Sequence, residues 1–420
     1  MIQTTGHMHK ENTTLLGPFR QILPMANLPL KGALKDEQLT IIEDGGVLVE
    51  EGKIIALDKY DTLLSANPNA QLSSIKEDMV ALPGFIDAHT HICFGGTRAF
   101  DYAARNNGKT YLEIAQEGGG IWSTVTQTRA ASQDQLTTMM MPRIKRQIQN
   151  GITTVEVKSG YGLNVEEELK MLRAIREANS KTPIDLISTC LAAHIRPKDI
   201  DLDERGYLEM ILQDLVPKIQ AEKLTRRFDI FIEESAFGMK ESTPYLKTLK
   251  ALGFELTVHG DQFNPGGSHV AITVGAKSVD HLEASGEKEI LALANSEVIP
   301  VALPGATIGL GCPFTPARKL LDAGCSLAIA SDWNPGSAPQ GNLLSQAAIM
   351  GTFEKLSAAE IFSGITFRAA TALGLEDRGR LVNNSLADIV AFPIHDYKEI
   401  LYHQGELKPK YVWKNGQKIK

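Results

Sequence analysis

Eight short runs of apolar, often β-branched residues recur through the middle of the chain, and they constrain its fold more than any other feature. The runs are Val80 to Ala88, Ile152 to Val157, Ile184 to Ala193, Phe228 to Ile232, Phe254 to Val258, Ser278 to Asp280, Val298 to Leu303 and Ser326 to Ala330. Between them lie stretches long enough for amphipathic helices, including Leu136 to Gln149, Glu166 to Ala178 and Tyr207 to Ala221. The last places Leu208, Ile211, Leu212 and Leu215 at i, i+3, i+4 and i+7, one face of a helix. Strands alternating with helices read as a parallel sheet, because parallel neighbours need a crossover between them. An open sheet needs no particular strand count, whereas a closed TIM-like barrel needs eight, so the expectation is a (β/α)8 barrel.

The two ends read differently. Ile41 to Leu57 is broken at Asp44-Gly45-Gly46 and at Glu51-Gly52, two expected hairpin turns. Ala387 to Phe392 and Tyr411 to Trp413 read as strands, followed by a tight turn at Asn415-Gly416. Neither end is large enough for a core of its own. Residues 1–81 and 379–420 are therefore expected to form one small composite β-sandwich domain beside a barrel of residues 82–378.

The chain has 420 residues, 43% hydrophobic and 22% charged, which is the composition of a globular protein. A net charge of −7 with no cluster of Lys and Arg argues against nucleic acid or an anionic membrane as partner and favours a small-molecule substrate. No apolar stretch approaches the roughly 18 to 20 residues of a membrane span. Cys93, Cys190, Cys312 and Cys325 form no C-x-x-C pair, and Met1 to Lys10 has no basic patch leading into an apolar run. A cytoplasmic chain with reduced thiols is expected.

Chemistry-bearing residues gather at the ends of the runs. His89 and His91 close the first, and side chains at i and i+2 of a strand share a face. His194, His259 and His281 close later runs, and Asp332 follows the last after one serine. These are C-terminal strand ends, the barrel face where active sites occur. Imidazoles with a carboxylate suit Zn²⁺ or another first-row metal acting on water. His7, His9, His269, His395 and His403 stand in polar or turn contexts and read as solvated.

On Pro83-Gly84-Phe85-Ile86-Asp87-Ala88-His89-Thr90-His91, the strand-end His259 and His281, Asp332 and the flanking β regions, the chain resembles the amidohydrolase superfamily. Phe94-Gly95-Gly96-Thr97-Arg98, Gly118-Gly119-Gly120-Ile121, Val157-Lys158-Ser159-Gly160-Tyr161-Gly162-Leu163, His259-Gly260-Asp261-Gln262 and Ser331-Asp332-Trp333-Asn334-Pro335-Gly336 narrow the resemblance to the imidazolonepropionase family. The resemblance implies hydrolysis of 4-imidazolone-5-propanoate to N-formimidoyl-L-glutamate in histidine degradation, with one zinc or iron ion per chain and a homodimeric assembly. Carried over, His89, His91, His259 and Asp332 are the metal ligands. Arg98, Tyr161, His194, Gln262, Asn334, Gly336 and Ser337 fall at substrate positions.

The chemistry of a cyclic amide with a propanoate tail agrees with these roles. Asp332 is placed to take a proton from water and return it to the leaving nitrogen, and His281 to donate a hydrogen bond to the developing oxyanion. The planar fork of Arg98 suits a carboxylate, although Asp101 offers it an ordinary ion pair instead. The glycine-rich stretch at Gly118 lacks a phosphate-loop pattern and reads as an active-site loop or a plain linker. Many members of the superfamily bridge two metals with a carboxylated lysine on strand four, but Phe228 to Glu234 has none, which favours one metal. Deaminases of the superfamily typically carry glutamate three residues after the strand-five histidine. Here Gln262 stands there, which disfavours an aminohydrolase.

Overall fold

The computed structural model describes residues 13–110, 113–114 and 117–420; Met1 to Lys10, with His7 and His9, lies outside the described residues. In chain order the strands are β1 (Thr13–Ile22), β2 (Ile42–Glu50), β3 (Lys53–Lys59), β4 (Gln71–Ser74), β5 (Val80–Pro83), β6 (Phe85–Asp87), β7 (Ile152–Lys158) and β8 (Asp185–Ala193). They continue with β9 (Arg227–Ile232), β10 (Glu255–Gly260), β11 (Ser278–His281), β12 (Ile299–Ala302), β13 (Ala328–Ile329), β14 (Ile389–Phe392), β15 (Tyr411–Lys414) and β16 (Gln417–Lys418).

Strands β6 to β13 pair in sequence order and every pair is parallel. The ring is completed just beyond the named strands. Asp332 N–H donates to His89 O at 3.0 Å, His91 N–H donates to Trp333 O at 2.9 Å, and Thr90 and Trp333 form a parallel bridge. Ser331 reinforces this seam, its N–H and hydroxyl donating to the buried Asp87 carboxylate at 2.9 and 2.6 Å. One or more helices follow each strand. Their starts carry the expected signals: Asn164 accepts from Glu167 N–H at 2.9 Å ahead of helix Val165–Ser180, whose first turn holds three glutamates that complement the helix dipole. The Tyr207 to Ala221 pattern is one continuous rod made of Glu204–Met210, a π turn at Ile211–Leu215 and Val216–Glu222.

The terminal segments build the second sheet, ordered β16-β15-β14-β5-β1-β2-β3 with β4 beside β1. It curls on itself, since Phe19 of β1 meets Trp413 of β15 edge-on at 5.9 Å although β14 and β5 lie between their strands. Phe19, Val47, Ile54, Ile389 and Trp413 belong to its separate core.

Two local expectations fail. The run Val80 to Ala88 is two strands, β5 in the terminal sheet and β6 in the barrel, divided at Gly84. A Cβ at Gly84 would stand 2.3 Å from Thr153 Oγ1, so only glycine lets the chain cross from one sheet to the other there. Asp44-Gly45-Gly46 is strand interior within β2, opposite the irregularity between Leu16 and Phe19 of β1. The turn falls at Glu51-Gly52, both at positive φ (48° and 80°), as the hairpin geometry requires. Asn415-Gly416 turns as expected, at φ 50° and 73°. Among the described residues, no helix is long and apolar enough to cross a membrane.

Candidate active site

The first barrel strand and its closing partner bring His89, His91 and Asp332 together, and β10 adds His259. His89 Nε2 and His91 Nε2 are 3.2 Å apart, and His259 Nε2 is 3.4 Å from His91 Nε2. Asp332 Oδ1 stands 3.5 Å from His89 Nε2 and 3.4 Å from His91 Nε2. Donors about 2.0–2.1 Å from a tetrahedral ion lie about 3.3–3.4 Å from one another, so these four separations are of the size a shared ion requires, and the three histidines each keep a donor atom within 4.8 Å of the others. All four residues are buried. Asp332 holds φ at 51°, a strained value for a non-glycine residue, and the seam bond to His89 O keeps it there.

Beneath these donors lies a layer of charge that sequence reasoning did not assign. Asp280 Oδ2 is 2.6 Å from His89 Nδ1 and Asp229 Oδ2 is 2.8 Å from His259 Nδ1. Lys158 Nζ reaches Glu156 Oε1 at 2.7 Å, Asp229 Oδ2 at 2.8 Å and Asp280 Oδ2 at 3.7 Å. Their side chains are essentially sealed from solvent. The signal was present in the sequence as charged residues inside apolar runs, Glu156 and Lys158 in β7 and Asp229 in β9. A charge enters a strand core only when something there pairs with it.

The electrostatics fit a cation at the donor set. Three buried carboxylates, Glu156, Asp229 and Asp280, face the Lys158 ammonium, and Asp332 adds a fourth buried carboxylate at the histidines. Burial raises the Asp332 and Asp280 carboxyls above their usual range and lifts Glu156 to about 7 despite Lys158. Burial also pushes His91 down to about 3 and His259 to about 4, keeping both imidazoles neutral as ligands must be. A divalent ion would offset the excess negative charge without requiring any of these groups to protonate.

The remaining residues singled out in the sequence lie toward the same end of the barrel. His194 Nδ1 donates to Gly160 O at 2.9 Å; because a carbonyl only accepts, Nδ1 carries the proton and Nε2 is left bare. Its ring stacks on His91 at 5.5 Å, with Tyr161 5.5 Å from it on another side. The Tyr161 loop is wrapped on Glu168, whose carboxylate accepts from Gly160, Gly162 and Leu163 N–H at 3.1, 2.8 and 2.8 Å. His281 stands beside the donors, its ring 5.4 Å from that of His259, with Glu283 Oε1 3.4 Å from its Nδ1. Burial disfavours its charged form, but Glu283, Asp332 and Asp280 outweigh that and raise its proton affinity.

Arg98 spends Nε on Asp101 at 2.7 Å, so the ion pair weighed against binding does exist. Its two Nη groups find no acceptor among the described residues and lie against Gly336, where a Cβ would come within 2.2 Å of Nη1. Asp101 also accepts from Gly120 N–H at 2.9 Å, which ties the glycine stretch to this arginine. Asn334 is committed within the protein: its amide donates to Asp332 Oδ2 at 2.9 Å and to Ser337 Oγ at 2.9 Å, and its oxygen accepts from Gly336 and Ser337 N–H, both at 2.8 Å. Ser337 Oγ is 3.5 Å from Asp332 Oδ2. Gln262 is half-buried after β10, and its side chain has no partner among the described residues. His395 and His403 are exposed and His269 is partly so.

Residues 102–419 match the profile described as Amidohydrolase family. An imidazolonepropionase of Myxococcus xanthus (strain DK1622) is 40% identical over 337 residues, which cover 80% of each chain. The chain belongs to the imidazolonepropionase family of amidohydrolases. A second member, from Acinetobacter baumannii (strain AB307-0294), is 39% identical over 389 residues, 92% of this chain and 96% of the relative. The amidohydrolase fold extends to more distant proteins. An atrazine chlorohydrolase from Arthrobacter aurescens TC1, solved in complex with zinc, superposes with a TM-score of 0.72 at 17% identity, covering 97% of this chain and 95% of that one.

Proposed function

We propose that the chain hydrolyses 4-imidazolone-5-propanoate to N-formimidoyl-L-glutamate, with one zinc or iron ion held by His89, His91, His259 and Asp332. The observation that carries the reading is a metal-type donor set sharing its barrel end with an arginine whose two Nη groups find no acceptor among the described residues. When bound, such an ion polarises water toward hydroxide near neutral pH.

Every other step belongs to the protein. Water adds to the ring carbonyl carbon, and the bond from that carbon to the amide nitrogen breaks. Asp332 takes the proton of the attacking water and returns it to the departing ring nitrogen. Asn334 acts through Asp332, since its amide holds Oδ2 and keeps Oδ1 turned toward the histidines. His281, kept proton-rich by Glu283, donates to the carbonyl oxygen as it gains charge. Arg98 grips the propanoate over Gly336, with Ser337 at the rim, while Tyr161, His194 and Gln262 bound the ring. The four-donor geometry is compatible with a ring-deaminating enzyme as well, but Gln262 has no carboxyl group to shuttle a proton.

The test is incubation of metal-loaded protein with freshly made imidazolonepropionate, following the loss of its ultraviolet absorbance and the product mass. A product one water heavier than the substrate is expected. No turnover, or release of ammonia in place of ring opening, refutes the reading.

A further inference from the structure

The ammonium of Lys158 occupies a place that no catalytic step uses. It contacts neither the donor atoms nor the rim, yet it touches Oδ2 of both Asp229 and Asp280, the same two oxygens that face His259 Nδ1 and His89 Nδ1. The contacts form one chain across four strands and the segment just after β6: His89, Asp280 of β11, Lys158 of β7, Asp229 of β9, His259 of β10. We propose that Lys158 is a positioning residue for the metal, holding two carboxylates so that each fixes the orientation and tautomer of one histidine ligand. The inference rests on the reading of His89 and His259 as ligands.

At His89 the Asp280 contact is a hydrogen bond, and at His259 the Asp229 oxygen stands 2.8 Å from Nδ1; a carboxylate can only accept, so each favours a proton on Nδ1 and leaves the Nε2 lone pair free for an ion. In both histidines Nε2 is the nitrogen turned toward His91. Glu156, Asp229 and Asp280 share this dry space, and Lys158 is the cation that contacts all three among the described residues. Without it, three carboxylates repel one another at short range in a poorly screening interior. The two that can turn away then release their imidazoles. A single side chain thus governs two ligands at once, and an outer partner of one ligand is typically worth about 10- to 100-fold in metal affinity.

Lys158→Met keeps most of the stem and removes the charge. Measured by chelator competition on folded protein, with folding checked by circular dichroism, zinc affinity should fall at least about 10-fold. The double variant Lys158→Met/Glu156→Gln removes one repelling carboxylate, and part of the affinity should return. Wild-type affinity in Lys158→Met, or no recovery in a folded double variant, overturns the proposal. If Lys158→Met does not fold, nitrogen-15 spectra of the metal-free wild-type histidines decide: His89 and His259 should both carry Nδ1–H, and Nε2–H on either refutes the assignment. A wild-type protein that takes up no metal would instead remove the functional reading, and metal affinity does not depend on which substrate is turned over.

Discussion

Arg98→Met tests how the substrate is recognised. The structure sets what the substitution removes: two Nη groups poised over Gly336, and the Nε contact to Asp101. A charge-assisted hydrogen bond is worth about 1.5–3 kcal/mol, which is about 10- to 150-fold in kcat/KM at roughly 1.4 kcal/mol per factor of ten. The Asp101 contact is a separate consequence. Its side chain is only 4% exposed and would lose its cation, keeping the Gly120 N–H. Loop disturbance and lost recognition are separated by substrate choice. Imidazolonepropionate should lose the full factor, whereas an imidazolone without the carboxylate tail should change little. Arg98→Met/Asp101→Asn removes the stranded charge and should repair the stability of the loop without restoring turnover of the tailed substrate. Equal losses for both substrates would refute the argument and make Arg98 a support of the loop.

Other perturbations address separate parts of the molecule. His281→Ala should lower kcat about 10²- to 10³-fold with metal content intact by elemental analysis, as for loss of an oxyanion donor; loss of the ion would make it a ligand. Gly84→Ala drives a methyl into Thr153 at the crossing between sheets and should destabilise by about 1–3 kcal/mol in denaturant melts, and an unchanged midpoint would contradict the close approach. Asp185 at the start of β8 pairs with Lys414 of β15 at 2.7 Å and with Arg378, and these cations outweigh burial to hold its carboxyl below the usual range. Its stabilisation is present above the unfolded carboxylate range and is lost as pH falls through the lowered folded value. Asp185→Asn should therefore cost at most about 1 kcal/mol at pH 7, given a side chain two-fifths exposed, and the difference from wild type should vanish in acid. A difference that is the same at pH 7 and pH 3 would exclude this origin.

The barrel and its donors were legible because strand periodicity is a short-range property. An apolar run ending in histidine says both that a strand is there and where the side chain emerges, and that reasoning places His89, His91, His259 and His281 without any long-range knowledge. The Gly84 crossing was not legible, since an unbroken apolar run looks the same whether it serves one sheet or two. Asp44-Gly45-Gly46 has the composition of a turn, and Asp44 does take a positive φ of 51°, but Gly45 pairs with β1 and Gly45 and Gly46 pair with β3, so the strand continues through it. The layer under the donors depends on which strands become neighbours. Asp229 and Asp280 belong to strands separated by β10, and nothing local says that Lys158 will stand between them. Asn334 is a subtler case: its motif marked it as important, but only the coordinates reveal that its amide is spent on Asp332 and the turn that follows.

The seam between the first and last barrel strands also dictates when the site can exist during synthesis. Asp87 and Ser331, which clasp it, are 244 positions apart, and Asp332 is the donor that arrives after the closure. At roughly 5–20 residues per second, a ribosome needs on the order of 10 to 50 s to cover that distance. His89 and His91 emerge early and wait through that interval as an unpaired couple of imidazoles. A nascent chain stopped before the eighth strand therefore lacks both the Asp332 carboxylate and the backbone bonds that hold the two histidines, and with the proposed ligand set ion capture would be a late event that reports on completion of the ring.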